Sequence, residues 1–383
     1  MNVPLLDLRR QNEPIRDELL DAFRRVLDSG QFILGKEVEQ FESAAAAVAG
    51  ARFAIGVSSG TDALLLALMA LGIGPSDEVI CPSFTFFATA GSIARLGARP
   101  VFVDSLDDTF NLDPADVERR ITARTRAIIP VDLFGQAADM DEIGEIAARH
   151  RLAMIEDVAQ AFGAAYRGRP LGTLGDFGTV SFFPTKNLGA LGDAGLLVTK
   201  DAALAEKARL LRNHGAHPKY YHKTIGGNFR LDAVQAAVLG VKLPHLRRYT
   251  ALRQQHARHY DRELQRIDGR GAVELRLPAV LEDRTHIVNQ YTIRVRRGPR
   301  WQRPESPRDA LRQHLSERGI GSEIYYPVPL HAQECFRDCG PHPPLPACEQ
   351  MAAEVVSLPV FPELTAEEQA AVIEAVGEFV EGL

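Results

Sequence analysis

A lysine does covalent chemistry only as a neutral amine, and the setting of Lys186 favours that form. It sits in Val180-Ser-Phe-Phe-Pro-Thr-Lys186-Asn-Leu-Gly-Ala-Leu-Gly-Asp-Ala-Gly195, between an aromatic run and a glycine-rich turn. Most lysines end in water. Apolar and small neighbours here would desolvate the ammonium, lower its pKa and leave a nucleophilic amine. Gly189, Gly192 and Gly195 would let backbone approach a ligand closely.

Three other segments carry polar groups at points where chemistry is done. Ser58-Ser-Gly-Thr-Asp62 joins a short apolar run to a helix-forming one. Small residues at a helix start expose backbone N–H groups to an anion, and the helix dipole favours negative charge there. An ordinary N-cap turn has the same composition. Met154-Ile-Glu-Asp157-Val-Ala-Gln160 runs a strand into adjacent acids, which are costly there unless paired. Such acids fit a metal, an acid–base pair, a cationic heterocycle nitrogen or a structural arginine equally. Gly226-Gly-Asn228-Phe-Arg230-Leu-Asp-Ala-Val-Gln235 leads polar side chains into a helix and, taken alone, is a capped helix.

Alternating elements must position these groups. Strand-like runs at Ala54–Val57, Glu78–Cys81, Arg99–Asp104, Arg126–Val131, Leu152–Ile155, Thr179–Phe183 and Gly195–Thr199 are separated by helical patterns. The helices are expected at Asp62–Leu71, Ala88–Leu96, from Asp113-Pro114, at Asp139–His150 and from Asp201 to about Asn213. That rhythm predicts an α/β fold with a mostly parallel, doubly wound sheet flanked by helices, with ligands at the carboxyl ends of the strands. A long helical stretch from Leu231 to about Leu264 is expected to break at Pro244. Beyond it come a strand at Asn289–Val295, a helix at Arg308–Glu317, and a loop marked by Pro341, Pro343, Pro344 and Pro346. Thr365-Ala-Glu-Glu368 reads as a capping box opening a last helix, with Val372, Val376, Phe379 and Leu383 on its apolar face. The expected division is 1–245, an N-terminal segment with the large domain, and 246–383, a smaller C-terminal α/β domain.

Composition removes other classes. The chain has 383 residues, 45% hydrophobic and 25% charged, with net charge −6. It has no dense basic block for nucleic acid, and the basic stretch Arg294–Arg303 reads as a solvated loop. The apolar run Ala63–Leu71 is too short to span a membrane, and Met1–Arg10 lacks a signal-peptide pattern. Four cysteines, Cys81, Cys335, Cys339 and Cys348, fit a reducing compartment. Cys335 and Cys339 have half of a zinc spacing without a second pair, so no metal is expected. A cytoplasmic protein is expected.

In this order, SSGTDALLLAL, CPSFTFFAT, PVDLFGQAADM, IEDVAQAFGA, FFPTKNLGALGDAG, GGNFRLDAVQAA, IYYPVPLH and SLPVFPELT resemble the DegT/DnrJ/EryC1/StrS family of sugar aminotransferases, of pyridoxal-phosphate fold type I. The resemblance runs from Ser58 to Thr365. It implies pyridoxal 5′-phosphate as cofactor, held covalently by Lys186. Asp157 would pair with the pyridine nitrogen, Gln160 with the ring hydroxyl oxygen, and Phe86 would stack on the ring. Gly60, Thr61 and Ser181 would hold the phosphate, joined by Asn228 from a neighbouring subunit of a homodimer with shared active sites. Tyr326 and His331 match the region that contacts the sugar nucleotide, and Arg230 is a candidate for the donor carboxylate. The implied reaction moves an amino group from an amino acid, L-glutamate by resemblance, to a nucleotide-linked keto-sugar. The Tyr325–His331 loop resembles members acting at C3; a 4-aminotransferase or an aminocyclitol or aminobenzoate relative is the alternative. A sugar dehydratase of this family would carry histidine at position 186. A desulfurase would need Cys335 or Cys339 as nucleophile. A regulator that keeps the scaffold without catalysis is the alternative of another class.

Overall fold

The computed structural model describes residues 2–267, 272–340 and 342–382. Pro341 and Leu383, used above for the loop and the last apolar face, lie outside them. Among the described residues twelve strands form, all short. They are β1 Phe53–Val57, β2 Glu78–Pro82, β3 Arg99–Val103, β4 Thr125–Ile128, β5 Ala153–Asp157, β6 Ala165–Tyr166, β7 Arg169–Pro170, β8 Phe177–Ser181, β9 Gly195–Thr199, β10 Val273–Arg276, β11 Tyr291–Arg297 and β12 Val355–Leu358.

Seven of them make the central sheet, in the order β1-β9-β8-β5-β4-β2-β3. The β2–β3, β2–β4, β4–β5 and β5–β8 pairings are parallel; β9 runs antiparallel to both β8 and β1. The expected mostly parallel α/β fold is therefore present, with one reversed strand. The strands are buried on both faces, as near-continuous apolar runs require. Successive side chains point to opposite faces, and two core clusters result. Ile55, Val57, Ile155, Phe177 and Leu197 pack with the helices Gly60–Leu71 and Ala88–Arg95. Ala54, Met154, Val180, Leu196 and Val198 pack with Lys36–Ala49, Met140–His150 and Ala233–Lys242. By that alternation Asp157 and Ser181 face the Gly60–Leu71 side, and Glu156 faces away from it.

Pro244 breaks the long helical stretch as expected. A helix at Ala233–Lys242 gives way to a 3-10 turn and then to Leu246–Ile267. A second, antiparallel sheet, β10-β11-β12, packs with the helices Pro307–Glu317 and Ala366–Glu381. The capping box at Thr365 forms, with Thr365 Oγ1 accepting from Glu368 N at 3.1 Å. Val3, near the chain start, joins this second core and bridges to Ile320. One expectation is corrected here. Arg294 and Arg296 are not in a solvated loop: they lie on β11, and Arg294 is 1% exposed. Arg294 pairs with Asp107 at 2.5 Å and with Glu354 at 2.7 Å. The counter-charges come from distant chain positions, which local composition does not show. Among the described residues no helix is long and apolar enough to cross a membrane.

Candidate active site

The carboxyl ends of β5 and β8 open into a pocket of about 480 Å3, a size typical of small-molecule sites. Gly60, Thr61, Phe86, Asp157, Gln160, Ser181, Lys186 and Tyr326 all line it. Segments 266 residues apart in sequence thus meet where the topology of an open α/β sheet places ligands.

One end is built by the helix Gly60–Leu71. Ser59 caps it, its Oγ accepting from Asp62 N at 3.0 Å, and Ser59 O accepts from Ala63 N at 3.0 Å. An α-helix leaves its first N–H groups unpaired, so those of Gly60 and Thr61 remain for an anion. Ser58 Oγ donates to Asp62 Oδ2 at 2.6 Å and fixes the turn. Glycine is required at two places. A Cβ on Gly60 would lie 2.7 Å from Ser181 Cβ, and one on Gly195 would lie 2.4 Å from Ser59 backbone. Strand end and helix start touch only because those side chains are missing.

Lys186 follows β8 in a tight turn, its N donating to Phe183 O at 2.9 Å. Gln235 fastens the glycine-rich stretch, its Oε1 accepting from Leu191 N at 2.9 Å. The Gly226–Gln235 segment also braces the helix start, Phe229 O accepting from Ser58 N at 3.1 Å. Burial pulls the Lys186 ammonium down to about 8, against the opposing pull of the Asp157 charge.

Asp157 is buried, which pushes its carboxyl above the ordinary range, while Ala159 N, the Lys186 charge and the Thr89 hydroxyl pull it back. Oδ1 accepts from Ala159 N at 3.2 Å and Oδ2 from Thr89 Oγ1 at 3.1 Å. Thr89 ends the CPSFTFFAT segment, where nothing local marks it as a partner of Asp157. Glu156, on the opposite face, accepts from Gly172 N at 2.7 Å and Leu174 N at 3.0 Å. Burial lifts it to about 7. The adjacent acids therefore serve different purposes, and no cluster of three metal-ligating side chains exists among the described residues.

Gln160 is pinned by Phe134 N, which donates to Oε1 at 2.6 Å, and its Nε2 donates to Tyr326 OH at 3.2 Å. The second N–H of that amide is available to a ligand oxygen. Phe86 is 57% exposed at the mouth, 6.2 Å between ring centroids from Tyr326.

Three expected site residues do not line this pocket. Asn228 is exposed. Arg230 donates to Asn213 Oδ1 at 2.8 Å, and its Nε is buried without a partner. His331 Nδ1 lies 2.6 Å from Ser83 Oγ and its Nε2 lies 3.3 Å from Glu349 Oε1. Burial lowers its pKa against the raising effect of Glu349. Cys335 and Cys339 lie on a 3-10 helix outside the pocket.

The residues fit pyridoxal phosphate. A buried carboxylate with a raised pKa is satisfied by a protonated ring nitrogen, the lysine gives up its proton more readily than an ordinary one, and two open helix N–H groups and Ser181 lie on the same sheet face as Asp157.

Residues 13–377 match the DegT/DnrJ/EryC1/StrS aminotransferase family. A "pleiotropic regulatory protein" of Geobacillus stearothermophilus is 50% identical over 99% of both chains. A UDP-N-acetyl-3-dehydro-alpha-D-glucosamine 3-aminotransferase of Acidithiobacillus ferrooxidans is 43% identical over 99% of this chain and 98% of its own. A dTDP-3-amino-3,4,6-trideoxy-alpha-D-glucose transaminase of Streptomyces venezuelae is 45% identical over 99% and 96%. The crystal structure of S. venezuelae DesV, solved with a ketimine intermediate, superposes with a TM-score of 0.92 at 44% identity, covering 99% of this chain and 98% of that one.

Proposed function

The chain belongs to the DegT/DnrJ/EryC1/StrS aminotransferase family, which depends on pyridoxal phosphate, and from that premise we propose that it aminates a nucleotide-linked keto-sugar at C3. The observation that carries this reading is the meeting of Lys186, lowered to about 8, with Asp157 in one pocket. Relatives named for amino transfer at sugar C3 support the position. L-glutamate as donor rests on family resemblance.

Lys186 would hold the cofactor, Asp157 its ring nitrogen, Gln160 its ring hydroxyl and Phe86 its open face. Gly60, Thr61 and Ser181 would hold the phosphate. The bound cofactor supplies an electron sink. Lys186 Nζ, released as a neutral amine, removes the proton from the donor α-carbon and later delivers one to the sugar carbon that gains the amino group. The hydrogen bonds from Thr89 and Ala159 favour the ionised form of Asp157 against burial. Tyr326, whose hydroxyl burial keeps protonated, orients Gln160 and closes one wall against water. Asn228 is exposed outside this chain's own pocket, where it is open to a partner's site in the homodimer that the family resemblance implies; Arg230 and His331 are proposed to contact substrate. The same reading puts the cofactor on residues 1–245, a smaller domain at 246–383, and the protein in the cytoplasm.

The test is the visible spectrum of the protein with pyridoxal phosphate, before and after L-glutamate, for wild type and Lys186→Ala. A lysine-dependent band that glutamate removes is the expected result; its absence from wild type sinks the proposal. Keto-sugar nucleotides then follow, and turnover of a 4-keto but not a 3-keto sugar overturns C3. The name of the Geobacillus relative favours a regulatory reading as the second one; a biological effect that survives Lys186→Ala would select it.

A further inference from the structure

Beside the main pocket lies a smaller cavity of about 100 Å3 that shares Thr185, Gln290 and Tyr325 with it as walls. Arg253 lines this cavity and is 2% exposed. A charge so buried is costly unless hydrogen bonds and an opposite charge offset it. The offset is one-sided. Nη1 donates to Val360 O at 2.8 Å, Asn289 O at 3.2 Å and Val288 O at 3.5 Å. Nε is buried without a hydrogen-bond partner. Among the described residues the negative charge acting on Arg253 is that of Glu363, but the two share no hydrogen bond, and Glu363 Oε2 is itself buried without a partner.

Nη2 enters none of these hydrogen bonds, and a guanidinium N–H gives a carboxylate a strong, charge-assisted one. The cavity is far smaller than the several hundred Å3 that whole small molecules take, roughly 300–1,000 Å3, so it admits one such group and not a sugar ring. Thr185, its shared wall, precedes Lys186. Lys186 lines the main pocket, so a ligand that bridges the two spaces has one end in the space of the reacting amine. We propose that Arg253 receives a carboxylate of the amino donor while the donor nitrogen lies in the main pocket, an assignment that rests on the amino-transfer reading above. Nη1 holds the guanidinium in place through the three carbonyls, and Nη2 binds the ligand.

The experiment follows the cofactor absorption of the holoenzyme while L-glutamate, L-glutamate α-methyl ester or L-glutamine is raised, for wild type, Arg253→Gln and Arg253→Lys. A hydrogen bond to a charged group sets the scale. Half-saturation by L-glutamate should rise about 10- to 100-fold in Arg253→Gln, with the KM for the keto-sugar unchanged. One of the two derivatives should bind wild type more weakly by a similar factor, and that difference should vanish in Arg253→Gln; which derivative it is tells the α-carboxylate from the side-chain one. Unchanged half-saturation overturns the assignment, as does a rise in both KM values alike, the mark of a merely structural role. A rise in the sugar KM alone also overturns it and moves the guanidinium to a sugar carboxylate. If Arg253→Gln does not fold, Arg253→Lys and the wild-type comparison decide, and wild type taking all three donors equally refutes the proposal. Wild type that answers to no amino acid removes the amino-transfer reading, and this assignment with it.

Discussion

At pH 7 a lysine with a pKa of about 8 is neutral in about one molecule in ten, whereas an ordinary lysine at 10.5 is neutral about 300-fold less often. The difference is burial, and it sets how fast the cofactor-free protein can capture an aldehyde. The rate of pyridoxal phosphate capture, followed by stopped-flow absorbance, should rise about tenfold per pH unit up to a bend near pH 8 and then level off. Asp157 works against burial, because its negative charge favours the ammonium. Asp157→Asn should therefore move the bend below pH 8 and speed capture at pH 7, even where it abolishes turnover. A wild-type rate that keeps rising to pH 10 would refute the claim that the pocket desolvates Lys186. A bend unmoved by Asp157→Asn would refute the electrostatic coupling between the two.

Gly60→Ala puts a Cβ 2.7 Å from Ser181 Cβ, so helix start and strand end must separate. Overpacking of this kind costs about 1–3 kcal/mol; a lowered Tm together with weaker pyridoxal phosphate binding in equilibrium dialysis is expected, and native affinity would contradict the phosphate assignment. Glu156 is raised from 4.5 to about 7, mainly by burial against two backbone N–H bonds. A raised carboxyl contributes stability that is present below its unfolded pKa and lost as pH rises through the folded one. Cofactor-free protein should lose stability between about pH 4.5 and 7 on this account, with a slope of up to about 1.4 kcal/mol per pH unit for one group. Glu156→Gln should flatten the profile in urea unfolding, and an unaltered slope would show that Glu156 is not the titrating group.

Much of the site is local enough to be legible in sequence. Lys186 is marked by its own aromatic and glycine neighbours, and Asp157 by its place at the end of a buried strand. The helix start at Ser59 is marked by small residues before an apolar run. Alternation of strand and helix then fixes a mostly parallel sheet, and such a sheet brings the strand ends to one side. The break at Pro244 and the cap at Thr365 are equally local, since a missing N–H and a hydroxyl three residues from a glutamate act within one turn.

What tertiary structure alone decided are the contacts between distant segments. Thr89 reaches Asp157 across 68 positions, Gln235 reaches Leu191 across 44, and Tyr326 reaches Gln160 across 166. None leaves a periodicity or a neighbour pattern in the chain. Arg294 resembles a surface charge until Asp107 and Glu354 are folded onto it, and Arg253 resembles one until Val288 and Asn289, before β11, and Val360, after β12, close around it. The chain order specifies which residues can do chemistry, because intrinsic reactivity and local backbone shape are properties of short segments. Burial and the placing of opposite charges depend on the whole packing, and these decide which lysine gives up its proton readily, which acid is a partner and which arginine is buried without an ion pair.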